Sequence, residues 1–166
     1  GDLNLTLDDA TLQQQPLTGR LVLAIKQNQL DIDALELRGN GFNLKGHGTL
    51  TDSVELTWQV QDLKPLLPAF RGQLSGSGRL QISPAGINAD ITSNGEQLQY
   101  RNLTLDRWQL RGKLAMSQQF QLVFSGNELK DSLSDLSLAH LHLTTNGSVQ
   151  QHSIEFRIDQ ADRRLH

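Results

Sequence analysis

The sequence predicts an all-β protein built as one long, mostly antiparallel sheet. Three observations support this fold class. Apolar residues recur at every second position in run after run, which is typical of strands with one apolar and one polar face. Short turn sequences rich in Gly, Asn, Asp, Ser and Pro separate the runs. Helical periodicity is nearly absent, although Leu, a good helix former, occupies 31 of the 166 positions.

The alternating runs follow one another along the chain and predict about 11–13 strands in one meander. The first runs are Leu3–Leu7, Leu17–Ile25, Leu30–Ile32 and, after a slip of parity, Leu35–Leu37. The middle runs are Phe42–Leu50, Val54–Val60, Leu74–Ile82 and Ile87–Ile91. The last runs are Leu103–Leu105, Trp108–Met116, Phe120–Phe124, Leu141–Leu143 and Ile154–Ile158. Polar residues fill the alternate positions, so the second face of the sheet is predicted to be solvated.

Short segments rich in turn-forming residues lie between these runs. Gly and Asn favour turns because they tolerate positive φ, and Pro favours them because its ring fixes φ. The predicted turns are Gln13–Pro16, Gln27–Asn28, Gly39–Gly41, Thr51–Ser53, Ser83–Gly86, Ser93–Gly95 and Ser125–Asn127. Two stretches have helical spacing. Pro65 and Pro68 limit Asp62–Leu67 to about one turn, with Asp62 as a candidate N-cap. For Glu128–Leu136 we prefer irregular structure to a short helix.

Glycines recur on the apolar side of the predicted strands. Leu44–Leu50 and Leu74–Leu80 both carry Gly-x-Gly between leucines, and Leu110–Leu114 and Thr145–Val149 are shorter or weaker copies. The glycines at 46, 76, 112 and 147 lie 30, 36 and 35 residues apart, which indicates stacked units. A column of glycines lets a sheet bend along a line and leaves space above it. The alternative is a sandwich in which each glycine accommodates a bulky side chain of a facing sheet.

Composition excludes several function classes. Fifteen Lys and Arg against 18 Asp and Glu give a net charge of −3, which argues against a nucleic-acid binder or a polybasic membrane-surface module. The absence of Cys excludes disulfides and thiolate metal sites. His140-x-His142 is the tightest His pair, but both residues fall on the polar parity without nearby acidic ligands, so we interpret them as surface residues. We find no catalytic motif and predict no enzyme, no cofactor and no metal.

One long segment carries a family resemblance. Asp62-Leu-Lys-Pro-Leu-Leu-Pro-Ala-Phe-Arg-Gly-Gln-Leu-Ser-Gly-Ser-Gly-Arg-Leu80, followed by Pro84 and Ile87-x-Ala89, resembles a repeat of the TamB family. That family has a D-L-x-x-L-x-P segment, then G-x-L-x-G-x-G-x-L, then a Pro and an alternating strand. Leu30–Leu50 and Asn94–Leu114 are similar to the neighbouring phrases. The Gly that usually follows G-x-G-x-L is missing, since Gln81 and Ile82 stand there.

The resemblance implies an inner-membrane-anchored periplasmic protein of Gram-negative bacteria, related to AsmA-like and bridge-type lipid-transfer proteins. It implies a β-taco, a long sheet folded lengthwise into a trough with an apolar concave face. It further implies phospholipid movement to the outer membrane, support of outer-membrane protein assembly, and a TamA-like outer-membrane barrel as partner through other parts of the full-length protein. We expect residues 1–166 to form one interior or penultimate β-repeat segment, with approximate units 17–70, 71–112 and 113–160.

The predicted ligand is the acyl part of a phospholipid, held by the apolar parity. The residues predicted to line the groove are Leu21, Leu23, Ile25, Ile32, Leu44, Leu50, Leu56, Val60, Leu74, Leu80, Ile91, Leu105, Leu110, Leu114, Leu122, Leu143 and Phe156. The glycines predicted to bend the sheet or keep it open are Gly46, Gly48, Gly76, Gly78 and Gly112. Two alternatives remain: a chaperone-like module whose open edges pair with strands of outer-membrane proteins, and a structural β-sandwich spacer. Open edges would also allow an edge-strand dimer of the isolated chain.

Overall fold

The chain forms one open antiparallel sheet of eleven strands. The computed structural model describes residues 1–12, 15–26, 29–84, 86–115, 119–134, 136–148 and 151–160. Each strand pairs with its neighbours in sequence, in the order β1 to β11. The strands are β1 (Asp2–Leu12), β2 (Gln15–Lys26), β3 (Gln29–Gly39), β4 (Phe42–Thr49), β5 (Ser53–Val60), β6 (Phe70–Ser83), β7 (Gly86–Tyr100), β8 (Leu103–Leu114), β9 (Gln119–Asp131), β10 (Ser137–Ser148) and β11 (His152–Gln160). The predicted all-β fold, built from one open antiparallel sheet, is confirmed.

The slip of parity in β3 is a β-bulge. Ile32 pairs with Gly48 on β4 and Leu35 pairs with Gly46, so Asp33 and Ala34 together oppose one residue of β4. An extra residue in one strand exchanges the faces on which later side chains point. The bulge therefore keeps Leu35 on the same face as Ile32 although their sequence parity differs.

A second irregularity runs across four strands at one register. The pairings on both sides of Gln97 in β7 align it with Asp106 in β8, Glu128 in β9 and Ala139 in β10. Gln97 and Glu128 have positive φ angles of 52° and 56°. Each of these strands carries one residue more than alternation requires, so apolar side chains on both sides of this bulge row face the same way. The bulge row joins pairs of runs that the sequence pattern presents as separate.

The segment between β5 and β6 forms one tight turn. Asp62 Oδ1 accepts a hydrogen bond of 3.0 Å from the Lys64 N–H, as an N-cap does. The Leu67 N–H donates to the Leu63 carbonyl at 2.7 Å, which closes one helical turn. Leu63 is buried. The single turn and its Asp62 cap agree with the sequence-based expectation.

Two predicted turns are wrong. Ser93–Gly95 lies inside β7, and Ser125–Asn127 lies inside β9. Gly95 and Gly126 are on the apolar face of the sheet, where a large neighbouring side chain occupies the space above them. Glu128–Asp131 is also the end of β9, whereas 132–134 form a turn, so irregular structure is correct for only part of that stretch. The predicted turns at 13–14 and 27–28 lie outside the described residues.

No second layer covers the sheet in the described part of the chain. The apolar residues buried there are Ala24, Val54, Val60, Leu63 and Leu105, and no large side chain is fully buried. The described strands belong to one sheet, so a β-sandwich with a dry core is wrong for them. The apolar face is thus open on the side away from the backbone.

Candidate functional site

The pairing register aligns the apolar side chains into four rows that cross all eleven strands. Directly opposed residues of paired strands point to the same face, so each row can be followed from partner to partner. Row 1 is Ala10, Leu17, Gly39, Phe42, Val60, Leu74, Gly95, Trp108, Gly126, Leu141 and Ile158. Row 2 is Leu7, Gly19, Leu37, Leu44, Trp58, Gly76, Ser93, Leu110, Phe124, Leu143 and Phe156.

The other two rows lie further from the bulge row. Row 3 is Leu5, Leu21, Leu35, Gly46, Leu56, Gly78, Ile91, Gly112, Leu122, Thr145 and Ile154. Row 4 is Leu3, Leu23, Ile32, Gly48, Val54, Leu80, Ala89, Leu114, Phe120, Gly147 and His152. The polar members are Ser93, Thr145 and His152; all others are apolar or glycine. We call this surface the inner face.

Glycines on the inner face lie beneath large side chains of the adjacent strands. Ten of the 14 glycines in the chain belong to the four rows. A Cβ added at Gly76 would stand 2.5 Å from Cε2 of Trp58, and one at Gly126 would stand 2.6 Å from Cδ2 of Leu105. When large and small residues alternate between adjacent strands, the large side chains have room to pack on the same face. The large side chains therefore lie over glycine backbone.

Ser93 is the buried polar group of row 2, with 6% exposure. Its Oγ accepts a hydrogen bond of 3.1 Å from Nε1 of Trp58, whose ring reaches across Gly76. This satisfies a polar pair that would be costly to leave unmade on an apolar surface. Trp108 in row 1 lies over Gly95 and stacks on Phe124 at a centroid distance of 6.0 Å. Together the two tryptophans fix the centre of the inner face.

Exposure on the inner face rises toward the edge strands. Val54 and Val60 in β5 are 3% and 4% exposed, while Leu5 in β1 is 48% exposed and Phe156 in β11 is 55% exposed. Side chains on a central strand are covered by side chains of two neighbouring strands, whereas those on an edge strand are covered from one side only. The inner face is thus a continuous apolar surface that is shielded by its own side chains and not by another element.

Ion pairs that join neighbouring strands lie on the opposite, outer face. Arg79 pairs with Glu55 across β5 and β6 at 2.5 Å, and this carboxylate raises the pKa of the guanidinium. Lys113 lies 3.7 Å from Asp90 across β7 and β8. Such exposed pairs contribute little stability, and their main consequence is a solvated outer surface. His140 and His142 contact Asn127 and Thr144, and the described residues contain no group of three or more metal-ligating side chains.

The hairpin turns form two rims along the sheet. The first rim, beyond row 1 and the bulge row, contains the β3–β4, β5–β6, β7–β8 and β9–β10 connections. Here Asp131 accepts hydrogen bonds from the Leu133 N–H at 2.9 Å, from the amide of Asn102 and from the hydroxyl of Ser134 at 2.8 Å. These donors, the backbone N–H foremost, lower the pKa of the Asp131 carboxyl. Asp131 thereby ties two neighbouring turns of the first rim together.

A protein-family model described as the N-terminal domain of TamB matches residues 4–164. The chain belongs to the TamB family. The TamB family is a non-enzymatic transport and assembly module. No curated protein and no solved structure matches the chain significantly. None of the described segments is a helix that could cross a membrane. The interior position and the three repeat units expected for this TamB-family chain stay predictions.

The structure places 14 of the 17 predicted lining residues on the inner face. Leu44, Leu110, Leu143 and Phe156 are in row 2; Leu21, Leu56, Ile91 and Leu122 are in row 3; Leu23, Ile32, Leu80 and Leu114 are in row 4; and Val60 and Leu74 are in row 1. Ile25 pairs with Leu30 beyond row 4, Leu105 pairs with Leu98 and Leu129 beyond the bulge row, and Leu50 lies in the β4–β5 turn. Their role as a lipid lining stays a prediction.

The predicted glycines also belong to the inner face. Gly76 is in row 2, Gly46, Gly78 and Gly112 are in row 3, and Gly48 is in row 4. Large side chains of adjacent strands lie above four of them, whereas Gly48 adopts φ 137°. Their proposed effect on sheet bending stays a prediction.

Several inner-face residues escaped the sequence-based prediction of the site. Trp58 and Trp108 have the same parity as the leucines, but neither is among the predicted lining residues. Gly95 and Gly126 were interpreted as turn residues because they follow Ser-Asn and Ser. A useful signal was available, since Gly95 and Gly126 keep the alternation of the preceding runs Ile87–Ile91 and Phe120–Phe124.

Proposed function

We propose that this TamB-family chain shelters phospholipid acyl chains on its inner face during transport between the inner and outer membranes. The observation that supports this proposal is the uncovered apolar surface formed by rows 1–4 across eleven strands. The proposal includes its setting: the periplasm of a Gram-negative bacterium, as part of an inner-membrane-anchored protein that also supports outer-membrane protein assembly. A TamA-like barrel would engage other parts of that protein.

The free energy of transfer explains why such a surface suits a lipid. Exposing acyl chains to water costs about 0.8 kcal/mol per CH₂, so a 16-carbon chain needs on the order of 12 kcal/mol of shelter. Leu, Ile and Val at alternate positions supply apolar contact without binding one chain length or double-bond position. Adjacent strands stand about 4.8 Å apart, so the ten gaps of this sheet extend the inner face over roughly 48 Å.

The test is to place charges on the inner face. The double variant Leu74→Arg and Leu110→Arg puts one cation in row 1 and one in row 2. The matched control, Ser75→Arg and Gln109→Arg, puts the same charges on adjacent positions of the outer face. Circular dichroism establishes that both variants retain their strands. We expect photocrosslinking of a diazirine-labelled phospholipid to fall strongly in the first variant and to persist in the control.

Unchanged crosslinking in a folded Leu74→Arg and Leu110→Arg variant would refute lipid binding by the inner face. Phospholipid copurifying with the wild-type chain, measured by native mass spectrometry, would support it. The position of crosslinks gives a second criterion, because labelled peptides should come from rows 1–4 and not from outer-face residues.

A second candidate function is supported by the sheet edges. In the described part of the chain, β1 pairs only with β2 and β11 pairs only with β10, so each edge strand presents free backbone groups. Such edges can bind extended segments of unfolded outer-membrane proteins, or a second copy of the chain. Proline substitutions scanned across Glu155–Ile158 should abolish peptide binding at the positions whose N–H points away from β10. Retained binding in every folded proline variant would argue against this function.

A further inference from the structure

A cationic pocket lies at the first rim, between the β5–β6 turn and the β7–β8 turn. It has a volume of about 350 Å³ and is lined by Lys64, Pro68, Ala69, Arg71, Gln99 and Arg101. This volume is at the lower end of the range of small-molecule sites, about 300–1,000 Å³. Three cations thus line one cavity in a chain whose net charge is −3.

The three cations lack ionic partners among the described residues. Arg38, Arg79, Arg107, Lys113, Lys130 and Arg157 each have a carboxylate within 4.0 Å, but Lys64, Arg71 and Arg101 do not. The acidic residues nearest along the chain have other partners: Asp62 Oδ1 accepts the Lys64 backbone N–H, Glu96 accepts a hydrogen bond from Gln73, and Asp106 lies 3.8 Å from Arg107. The pocket is therefore a concentration of positive charge that no neighbouring described carboxylate neutralises.

The inner face reaches this pocket at the rim. Phe70 and Tyr100 are opposed on β6 and β7 and stack at a centroid distance of 4.9 Å, in line with the apolar side chains of the inner face. Arg71 and Gln99, the next pair along, point to the outer face. Cζ of Arg101 lies 5.3 Å from the centroid of the Tyr100 ring, so a cation stands directly beside the aromatic pair. The apolar side chain of Tyr100 and the cation of Arg101 are therefore adjacent at the β7–β8 turn.

We propose that the pocket of Lys64, Arg71 and Arg101 binds the phosphate of a glycerophospholipid whose acyl chains lie on the inner face. This inference rests on the proposed function. Lys and Arg are the side chains that bind phosphate oxygens through charge-assisted hydrogen bonds. Because the pocket is at the rim, the headgroup stays in water while the chains contact apolar side chains. The site therefore selects anionic or zwitterionic phosphodiesters over neutral lipids of equal chain length.

The experiment compares two short-chain lipids with the same acyl chains, one with and one without a phosphoglycerol headgroup. Dioctanoylphosphatidylglycerol carries the phosphodiester, and dioctanoylglycerol carries the same chains without it. Both are titrated into the purified chain at low salt, with the fluorescence of Trp58 and Trp108 as the readout, since both rings lie on the inner face. We expect the phospholipid to bind on the order of tenfold more tightly than the diacylglycerol, and this preference to shrink as salt screens the site.

The variant Lys64→Gln, Arg71→Gln and Arg101→Gln should lose the preference while keeping its affinity for dioctanoylglycerol. The control Arg20→Gln, Lys45→Gln and Arg111→Gln changes the net charge equally at outer-face residues away from the pocket, and it should retain the preference. An equal preference in the pocket variant and the wild type, or an equal loss in the control, would overturn the phosphate site. Binding of both lipids with the same affinity would do so too, and would leave the acyl-binding function intact.

Inorganic phosphate alone distinguishes the two sources of the ligand. Phosphate that abolishes the preference only at concentrations far above that of the lipid supports a headgroup site. Phosphate that binds the wild type but not the pocket variant, while neither lipid binds, would show a free-anion site and would refute both the headgroup assignment and the proposed function.

Discussion

Gly95→Ala should destabilise the sheet through a clash with one side chain. A Cβ at residue 95 would stand 2.5 Å from Nε1 of Trp108 and closer still to its Cε2 and Cζ2, and no other residue provides one of its three nearest atoms. The ring would have to move by about 1 Å to reach an ordinary contact, and it stacks on Phe124. Overpacking of this kind costs about 1–3 kcal/mol. An alanine in place of a strand glycine returns roughly 0.5–1 kcal/mol, so the net loss should be about 1–2 kcal/mol.

A double-mutant cycle isolates this clash. In a Trp108→Leu background the ring is absent, so Gly95→Ala should become neutral or stabilise by up to about 1 kcal/mol. The coupling free energy between the two positions should then be about 2 kcal/mol. Urea unfolding followed by far-UV circular dichroism gives the four free energies of unfolding.

Gly39 supplies the matched control from the same row. Its Cβ would make only ordinary contacts, at 3.5 Å or more, so Gly39→Ala should be neutral or slightly stabilising. The reasoning is wrong if Gly95→Ala is equally destabilising with and without the Trp108 ring. It is also wrong if Gly95→Ala and Gly39→Ala have the same effect in the wild-type chain.

Three further predictions concern single side chains. Ser93→Ala should cost about 1 kcal/mol in urea unfolding because it removes the acceptor of the Trp58 N–H, whereas Ser93→Thr, which keeps a hydroxyl, should cost less. Gln97→Gly should stabilise the chain by about 0.5 kcal/mol, since glycine has no Cβ penalty at φ 52°; a loss of stability would show that the Gln97 side chain matters more than its backbone. The lowered pKa of Asp131 predicts that its carboxylate stabilises the fold fully above the unfolded value of about 3.9 and progressively less as pH falls through the lower folded value. Asp131→Asn should therefore destabilise the chain at pH 7, with a difference from the wild type that shrinks as pH falls through the folded pKa. A pH-independent difference would contradict the assignment.

The sequence predicted the sheet well because alternation is a local property. Each run such as Phe42–Leu50 or Val54–Val60 identifies one strand and its apolar side without knowledge of its partners. The β3 slip was also visible, because Leu30–Ile32 and Leu35–Leu37 lie in one uninterrupted segment. What alternation could not reveal was the bulge row, since a slip of parity has the same appearance in the sequence as the end of a strand. Leu103–Leu105 and Trp108–Leu114 are one strand for this reason.

The glycines also show that local sequence alone does not determine this structure. Ser93–Gly95 and Ser125–Asn127 have turn composition, and local propensity favours a turn there. Tertiary pairing decides otherwise, because Gly95 and Gly126 are both register partners of Trp108. Propensity depends only on the local sequence of one strand, whereas these glycines are required by large side chains on the neighbouring strands. The cationic pocket was unpredictable for a similar reason: its three cations come from three separate segments that only the meander brings to one rim.

The bulge row and the glycines solve one geometrical problem in two ways. The bulges restore the direction of the side chains where a strand carries one residue more than alternation requires. The glycines remove side chains where large neighbours need the space. Both keep the apolar side chains on one face of the sheet without a second layer. If the inner face binds acyl chains as proposed, a lipid displaced by one strand, about 4.8 Å, leaves one set of leucines and meets another. Each leucine contact that the acyl chain loses is replaced by a similar one, so the free energy of the bound lipid changes little as it moves along the sheet. Tight binding at any one position would slow transport.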